Sequence, residues 1–315
     1  MNICDLKSGD HIENAQFLIS DLKMCVSNGG KQYYNMTLQD NTGKIDAKKW
    51  EIFPGDEDVF VIGNVVNFKG EVNLYNNSLQ FKVLSGEVVP TTHIDIARFV
   101  QSAPEAEKSL ENDLRAFVSS IKDHDLHMIV AALLNDNKNA YLSYPAAAKN
   151  HHAYASGLLY HSVSMTRLAD QVCKLYPALN RDLLISGTIL HDLGKVKELT
   201  GLIATQYTTE GRLIGHLVIV SELIDEKAKE LNIHSEQILL LKHMMLSHHG
   251  KLEYGAAKLP ETREALALAM IDDFDAKMEI LRIAYEGVAP GEWTNRIMAL
   301  DGRNFYNSPF VSPKK

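Results

Sequence analysis

The sequence predicts a small all-β barrel followed by an all-α helical bundle. The chain has 315 residues, which suggests two domains at about 150 residues each. Short β-rich segments fill about the first 90 residues, and apolar residues recur at helical spacing beyond Pro104. Nine of the 13 histidines lie between His151 and His249, so the chemistry is expected in the helical part.

The predicted barrel consists of five short segments separated by turn signals such as Asn28-Gly29 and Asn76-Asn77. Five strands with this spacing are typical of a small closed barrel rather than of a sandwich. A β domain that serves only in oligomerisation is the alternative interpretation. The segments are FLISDLKMCV, QYYNMTLQD, KIDAKKW, VFVIGNVVNFKGEV and SLQFKVLSGEVV.

Six later segments show apolar residues about every 3.6 positions, and Pro177, Gly250 and Pro260 mark helix ends between them. The segments are HDLHMIVAALLND, GLLYHSVSMTRLADQVCKLY, RDLLISGTILHDLGK, GRLIGHLVIVSELIDEKAKEL, SEQILLLKHMMLSHHG and ETREALALAMIDDFDAKMEIL. The predicted domains are residues 1–90 for the barrel, 91–104 for a linker, 105–290 for the bundle and 291–315 for an irregular tail.

The composition restricts the class of protein. Hydrophobic residues make up 45% and charged residues 23%, which suits a globular protein and argues against disorder. No apolar run approaches the roughly 18 residues of a membrane span, and the N-terminus lacks the features of a signal peptide. We therefore expect a cytoplasmic protein without membrane association. The three cysteines are scattered and form no C-x-x-C pair, so any metal is expected on nitrogen and oxygen ligands.

The pair His191-Asp192 in ILHDLGK is the strongest candidate for a functional site. Adjacent residues do not share a helix face, so both can meet one ligand only where the helix bends or ends. Further nitrogen and oxygen donors stand among apolar neighbours, where an unpaired polar group is costly. These donors are His161, His216, His248, His249 and Asp272. Each alone has a structural interpretation, but together they favour a metal centre inside the bundle.

The pattern H…HD…H…HH…D resembles the HD-domain superfamily of metal-dependent phosphohydrolases over about residues 145–285. The resemblance implies core metal ligands at His161, His191, Asp192 and Asp272. It implies the additional ligands of a two-metal centre at His216 and at His248-His249, of which we prefer His248. Lys195 matches a lysine that meets the substrate phosphate in that superfamily. A charge that complements a helix C-terminus is the alternative interpretation of Lys195.

The expected chemistry is hydrolysis by activated water. Two metals bridged by Asp192 would lower the pKa of a shared water and neutralise the phosphodiester, so Asp192 and Lys195 are the predicted catalytic residues. The number and type of ligands suit two divalent ions per chain: Mn2+ first, with Mg2+, Fe2+, Co2+ or Zn2+ as alternatives. No serine nucleophile elbow or ATP-binding P-loop is present.

His151-His152 either contact the substrate, bind metal or cap the next helix, and we predict His152 as a substrate contact.

The segment QYYNMTLQDNTGKIDAKKW resembles the OB-fold of the tRNA-anticodon-binding type, over roughly Ile12 to Val88. That resemblance implies binding of single strands by aromatic stacking and basic residues. The candidate stacking residues are Tyr33, Trp50, Phe68 and Tyr75, and the local charges are Lys31, Lys44, Lys48, Lys49 and Lys69. Residues 1–95 contain eight lysines, no arginine and 13 acids, a net charge of −5. Phosphate contacts therefore require the lysines to gather on one face. For Trp50, a place in the core of the barrel is the alternative to stacking.

Both domains together resemble the YhaM family of bacterial 3'-5' exoribonucleases over nearly the whole chain. The resemblance implies hydrolysis of single-stranded RNA from the 3' end by a two-metal centre. It leaves open single-stranded DNA as a second substrate and a homo-oligomer as the assembled state. Two other functions remain as alternatives: a phosphohydrolase of small nucleotides and a non-catalytic RNA-binding protein.

Overall fold

The computed structural model describes residues 1–76, 78–90, 92, 94–147, 152 and 154–310. Two compact units are present: Met1–Pro104 with Thr200–Gln206, and Glu105–Leu199 with the chain from Tyr207 onward. The predicted class, a β-barrel followed by a helical bundle, is confirmed. The exact domain boundaries stay a prediction. Among the described residues, no helix combines the length and the apolar character that a membrane crossing requires.

The first unit is a closed five-stranded barrel with the strand order β1-β2-β3-β5-β4. All neighbouring strands are antiparallel except β3 and β5, which are parallel. A short helix, α1 (Asp56–Val59), precedes β4. The strands are β1 (His11–Val26), β2 (Gln32–Asp40), β3 (Gly43–Lys49), β4 (Val65–Tyr75) and β5 (Ser78–Val88).

Alternating side chains fill the inside of the barrel, as the period of two in a strand requires. Phe17, Phe68 and Phe81 are fully buried, with ring centroids 6.1 Å apart. Gly70 allows the barrel to close tightly, because a Cβ there would lie 2.3 Å from the Lys82 carbonyl oxygen. The expectation that Phe68 stacks a base is therefore wrong: Phe68 belongs to the core.

The turn between β2 and β3 depends on the buried carboxylate of Asp40. Its Oδ1 accepts hydrogen bonds from Thr42, through both the backbone N–H and the hydroxyl, and from the Gly43 N–H. Its Oδ2 accepts from the Ile3 N–H at 2.6 Å and so ties the N-terminus to the barrel. An aspartate that satisfies turn N–H groups in this way fixes the hairpin geometry.

The second unit is a bundle of helices whose centre is formed by α5, α6, α9, α10 and α11. The helices are α2 (Glu107–Ser120), α3 (His124–Asp136), α4 (Lys138–Ser143), α5 (Gly157–Leu175), α6 (Arg181–Leu190), α7 (Lys195–Glu198), α8 (Thr209–Leu213), α9 (His216–Glu230), α10 (Glu236–Ser247) and α11 (Arg263–Ala284). Residues Leu183 to Leu190 of α6 are all buried, so α6 forms the middle of the bundle.

Two glycines bring the ends of these helices close together. A Cβ at Gly187 would lie 2.3 Å from the Met244 Cε, which shows how tightly α6 packs on α10. A Cβ at Gly194 would lie 2.3 Å from the His216 carbonyl oxygen, so the turn after α6 packs directly on the start of α9. At Gly194 the close atom belongs to the backbone, so only a residue without a Cβ permits the approach, whereas at Gly187 it is the flexible end of the Met244 side chain. The helix ends that carry the predicted ligands are thereby placed side by side.

The C-terminal segment folds back to the end of α11, where the Tyr285 hydroxyl donates to the Tyr306 carbonyl at 3.3 Å. Isolated β-bridges join Trp293 to Tyr306 and Ile297 to Arg303. The Asn307 side chain donates a hydrogen bond to the Val288 carbonyl at 2.7 Å, just beyond the end of α11. The tail is thus a short hairpin-like element held by the bundle.

Candidate metal centre and nucleic-acid surface

His161 lies in the middle of α5 and is buried against α11. Its Nδ1–H donates to the Asp275 carboxylate at 2.8 Å, and its Nε2 lies 3.2 Å from Asp272 Oδ1 and 3.2 Å from His191 Nε2. The Ser164 hydroxyl also donates to Asp275. A carboxylate that holds one ring nitrogen of a histidine aims the other at a ligand. Asp275 therefore directs His161 Nε2 toward Asp272 and His191.

His191 and Asp192 follow the last residue of α6, at the place where the helix ends. The His191 Nδ1–H donates to the Thr188 carbonyl at 2.9 Å, and His191 Nε2 lies 3.3 Å from Asp192 Oδ2. Asp192 Oδ1 lies 3.4 Å from His216 Nε2. The end of α6 thus brings two adjacent side chains into one centre, with Asp192 between the histidines.

His216 begins α9 and is held by Glu198, which the sequence analysis missed. Glu198 Oε1 accepts from the His216 Nδ1–H at 3.0 Å and from its backbone N–H at 3.1 Å. The same carboxylate therefore satisfies a free N–H group at the helix start and orients the imidazole ring. Glu198 lies 18 positions before its partner, and no apolar periodicity marks such a contact.

His248 and His249 follow the end of α10. The His248 Nδ1–H donates to the Met245 carbonyl at 2.8 Å, and His249 Nδ1 lies 2.9 Å from the Tyr254 carbonyl oxygen. The ring of His249 has its centroid 4.6 Å from that of His248 and 5.1 Å from that of His216. Both histidines therefore belong to the centre, and the preference for His248 over His249 stays a prediction.

The donor set fits divalent metal ions. The Nε2 atoms of His216 and His248 are buried and make no hydrogen bond within the described part of the chain. An unpaired buried nitrogen is costly, and a neutral imidazole whose other nitrogen is already bonded is the usual metal ligand. Among the described residues, four groups of three donors have their ligand atoms within 4.8 Å of one another: His216, His248 and His249; His161, His191 and Asp192; His191, His248 and Asp272; and His152, His161 and Asp275.

The electrostatics keep Asp192 ionised and His248 neutral, whereas His161 holds a proton. Burial raises the pKa of Asp192, but the charges of Lys195 and His191 outweigh burial and hold that pKa well below its usual range. For His248, burial disfavours the charged ring and lowers the pKa well below its usual value. For His161, hydrogen bonds to Asp272 and Asp275 overcome burial and raise the pKa to about 10. A metal ion held by His161 would take the place of that proton, since one lone pair cannot bind both.

Lys195 lies at the edge of this centre. Its Nζ is 2.6 Å from Asp192 Oδ2, and its side chain is 13% exposed. Burial opposes the charge of Lys195, but Asp192 raises its pKa. The ammonium group is therefore a fixed cation next to the carboxylate that joins the two halves of the centre.

His152 is buried beside His161, with ring centroids 4.8 Å apart, rather than at an open surface. Its Nε2 is 3.0 Å from Asp275 Oδ2 and its Nδ1 is 2.8 Å from the Tyr154 hydroxyl, and the side chain is buried. This position favours support of the Asp275–His161 pair over contact with substrate. His151, the other half of the predicted pair, lies outside the described residues.

On the barrel, four predicted residues form one surface group, here called the barrel aromatic cluster: Tyr33, Lys48, Trp50 and Tyr75. The Tyr33 and Trp50 rings stack with centroids 4.5 Å apart. Lys48 Nζ lies 5.4 to 5.7 Å from the centroids of all three rings. Trp50 is 44% and Tyr75 58% exposed, so Trp50 is not a core residue. The residues come from β2, the end of β3 and the end of β4, the part of an OB barrel that binds oligonucleotides.

The other predicted lysines are placed differently. Lys69 is paired with Glu13 at 2.6 Å and is not part of the cluster. Lys49 is buried, and its ammonium group contacts Asp56 at 3.3 Å and the Leu84 carbonyl at 3.1 Å. Lys49 is therefore unavailable to a phosphate. Lys31 and Lys44 are exposed.

Each part of the chain matches a known protein family, and nearly the whole chain is similar to named relatives. Residues 158–277 match the HD domain, and residues 18–89 match the OB-fold nucleic acid binding domain. A protein of Halalkalibacterium halodurans is 42% identical over 308 residues, which cover 97% of this chain and 95% of the relative. A Shouchella clausii protein is 43% identical over 96% of this chain and 95% of the relative, and one of Bacillus subtilis is 40% identical over 96% of each. All three are named 3'-5' exoribonuclease YhaM.

The chain belongs to the YhaM 3'-5' exoribonuclease family.

The predicted family, the OB-type barrel, the HD bundle and the enzymatic nature of the chain are thereby confirmed. The HD domain and the grouped donors support dependence on divalent metal. The number and identity of the ions stay predictions, as do the roles of the individual residues.

We expect Asp192→Asn to lower the divalent metal content strongly and to abolish catalysis. The amide removes the negative charge of a carboxylate that lies within 4 Å of His161, His191, His216 and His248. The measurement is metal analysis of the purified protein beside its far-ultraviolet circular dichroism. Asp273→Asn is the matched control, because Asp273 is exposed and paired with Lys277. Full metal content in a folded Asp192→Asn protein would contradict the role of Asp192.

Glu198→Gln tests whether Glu198 positions His216. Gln can still accept one hydrogen bond but lacks the charge that holds the Nδ1 proton, so we expect Mn2+ affinity to fall by about 10- to 100-fold. Titration of metal-free protein by calorimetry measures this. An unchanged affinity would show that Glu198 serves only the start of α9.

Proposed function

We propose that this chain hydrolyses single-stranded RNA from its 3' end by means of a water activated by two divalent ions, with Mn2+ as the first choice. The observation that carries the proposal is the convergence of the predicted donors around the buried Asp192 carboxylate. The names of the relatives supply the substrate and the direction of attack. Single-stranded DNA is proposed as a second substrate. The cytoplasmic location and a homo-oligomeric state stay predictions.

The number of donors supports two ions rather than one. A single catalytic ion needs about three protein ligands and an open position. Here His161, His191 and Asp272 lie on one side of Asp192, and His216 lies on the other with His248 and His249. Asp192 has one oxygen toward each side, as a bridging ligand requires. Imidazole and carboxylate without thiolate favour ions such as Mn2+.

When bound, such ions activate water for attack and neutralise the charge of the phosphodiester. The protein holds the donors still: Asp275 orients His161 and Glu198 orients His216. Lys195 supplies a fixed positive charge beside Asp192, suited to a non-bridging phosphate oxygen or the leaving group. The barrel aromatic cluster supplies stacking for the bases of a longer strand.

Time-resolved analysis of a 5'-labelled single-stranded RNA with added Mn2+ tests this function. We expect the labelled strand to shorten one nucleotide at a time from the 3' end, and no reaction with excess chelator. Circular RNA is the matched control, because it has no end. Internal cuts in the circle would contradict an exonuclease. A rate that does not rise with strand length would instead favour a phosphohydrolase of small nucleotides.

Lys195→Met should lower kcat without removing metal. If the ammonium group meets phosphate charge in the transition state, its loss costs on the order of a hundredfold in kcat. The variant and the wild type are compared at saturating Mn2+, with the metal content of both determined. An unchanged kcat at full metal content would limit Lys195 to neutralising Asp192.

Trp50→Ala and Tyr33→Ala should each weaken binding of a long single strand by about 1 to 3 kcal/mol, since each removes a stacking surface. Anisotropy of a labelled RNA measures the affinity. Phe53→Ala is the control, an exposed aromatic of the barrel outside the cluster. Unchanged affinity in both variants would favour a barrel that serves assembly only.

Since Trp50 is exposed, its replacement should destabilise the fold far less than Phe68→Ala, which should cost about 3 to 5 kcal/mol.

A further inference from the structure

An exposed aromatic turn follows directly after His248 and His249. The chain turns at Gly250, whose φ is +74°, and then forms the short 3-10 helix Leu252–Tyr254. The Lys251 carbonyl accepts hydrogen bonds from the Tyr254 N–H at 3.1 Å and the Ala256 N–H at 3.2 Å. The turn is thus closed on itself by backbone hydrogen bonds.

The turn is also fastened to the metal centre. The carbonyl oxygen of Tyr254 lies 2.9 Å from His249 Nδ1, and the Lys251 N–H donates to the His249 carbonyl at 2.9 Å. The ring of His249 in turn contacts those of His216 and His248. Tyr254 therefore orients one of the candidate ligands through its backbone, while its own side chain is not used for this purpose.

The side chains of this turn face solvent. Tyr254 is 61% exposed, and Lys251 Nζ lies 5.1 Å from the centroid of its ring. Lys251 Nζ also lies 3.6 Å from Glu253 Oε1, but both side chains are exposed, so this ion pair is weak. A large ring at the surface gains little from packing, whereas an open aromatic face beside an ammonium group suits a nucleobase and its phosphate. The same pairing of lysine and aromatic rings occurs in the barrel aromatic cluster, on the other unit.

We infer that Tyr254 and Lys251 form a binding site for the 3'-terminal nucleotide, with the base stacked on Tyr254 and a backbone phosphate near Lys251. The inference rests on the proposed function, because it needs a strand end at the metal centre. One turn then performs two tasks: its backbone orients His249, and its side chains hold the nucleotide to be released. The site explains how an end is gripped whatever its base, since every base offers a face for stacking.

The test compares two short 5'-labelled RNAs that differ only in the presence of the 3'-terminal base, with full-length protein and Mn2+. For the wild type we expect a KM about tenfold or more lower for the RNA that has the base. Tyr254→Ala should abolish this difference at unchanged metal content, and Tyr254→Phe should retain it. Leu252→Ala is the matched control, an exposed apolar residue of the same 3-10 helix. Lys251→Met should raise KM for both RNAs alike.

Equal losses on both RNAs with Tyr254→Ala would overturn the inference, because a merely structural role does not depend on the base. No effect of Tyr254→Ala would overturn it as well. The same pair of RNAs with a non-hydrolysable last linkage is also compared by anisotropy. If the wild type releases no nucleotides, the proposed function fails, while this binding comparison still accepts or rejects the base site.

Discussion

The buried carboxylate of Asp192 determines the design of the bundle. A carboxylate removed from water costs several kcal/mol unless opposite charges and hydrogen-bond donors surround it. Four histidines and Lys195 approach Asp192 from different elements. The approach of His216 depends on Gly194, because a Cβ there would lie 2.3 Å from the His216 carbonyl oxygen. The bundle is therefore arranged around the charge of Asp192, and the surrounding nitrogen donors and cations offset the cost of burying that charge.

Much of this centre was predictable from the sequence. His161 and His216 stand among apolar neighbours, where a buried polar ring is costly unless it has a partner. The helix ends at His191, which explains how the adjacent side chains of His191 and Asp192 can share a ligand. The supporting acids Glu198 and Asp275 were missed. Asp275 meets His161 across 114 positions, and an acid on a helix surface is ordinary until that contact is known.

In the barrel, the alternation of strand residues indicates which aromatic side chains are buried. In β4, Phe68 has the same parity as Val66 and Val72, which are buried, so the alternation of a strand places it inside. Trp50 has the parity opposite to that of Ile45 and Ala47 and emerges at the surface. The sequence could not show that Lys48 contacts three rings, because Tyr33 and Tyr75 come from other strands than Lys48. In this unit of net charge −5, the structure thus shows an aromatic surface with one lysine rather than a gathering of lysines.

Most of the donors stand at helix ends rather than within helices: His191 and Asp192 after α6, His216 at the start of α9, and His248 and His249 after α10. The segment 250–262, which follows His249, begins beside the candidate metal centre and contains only the short 3-10 helix Leu252–Tyr254. Loops tolerate substitution and insertion far better than packed helices do. Substrate range in this architecture can therefore diverge by changes in the connecting segments, while the ligand set and the bundle that holds it remain the same.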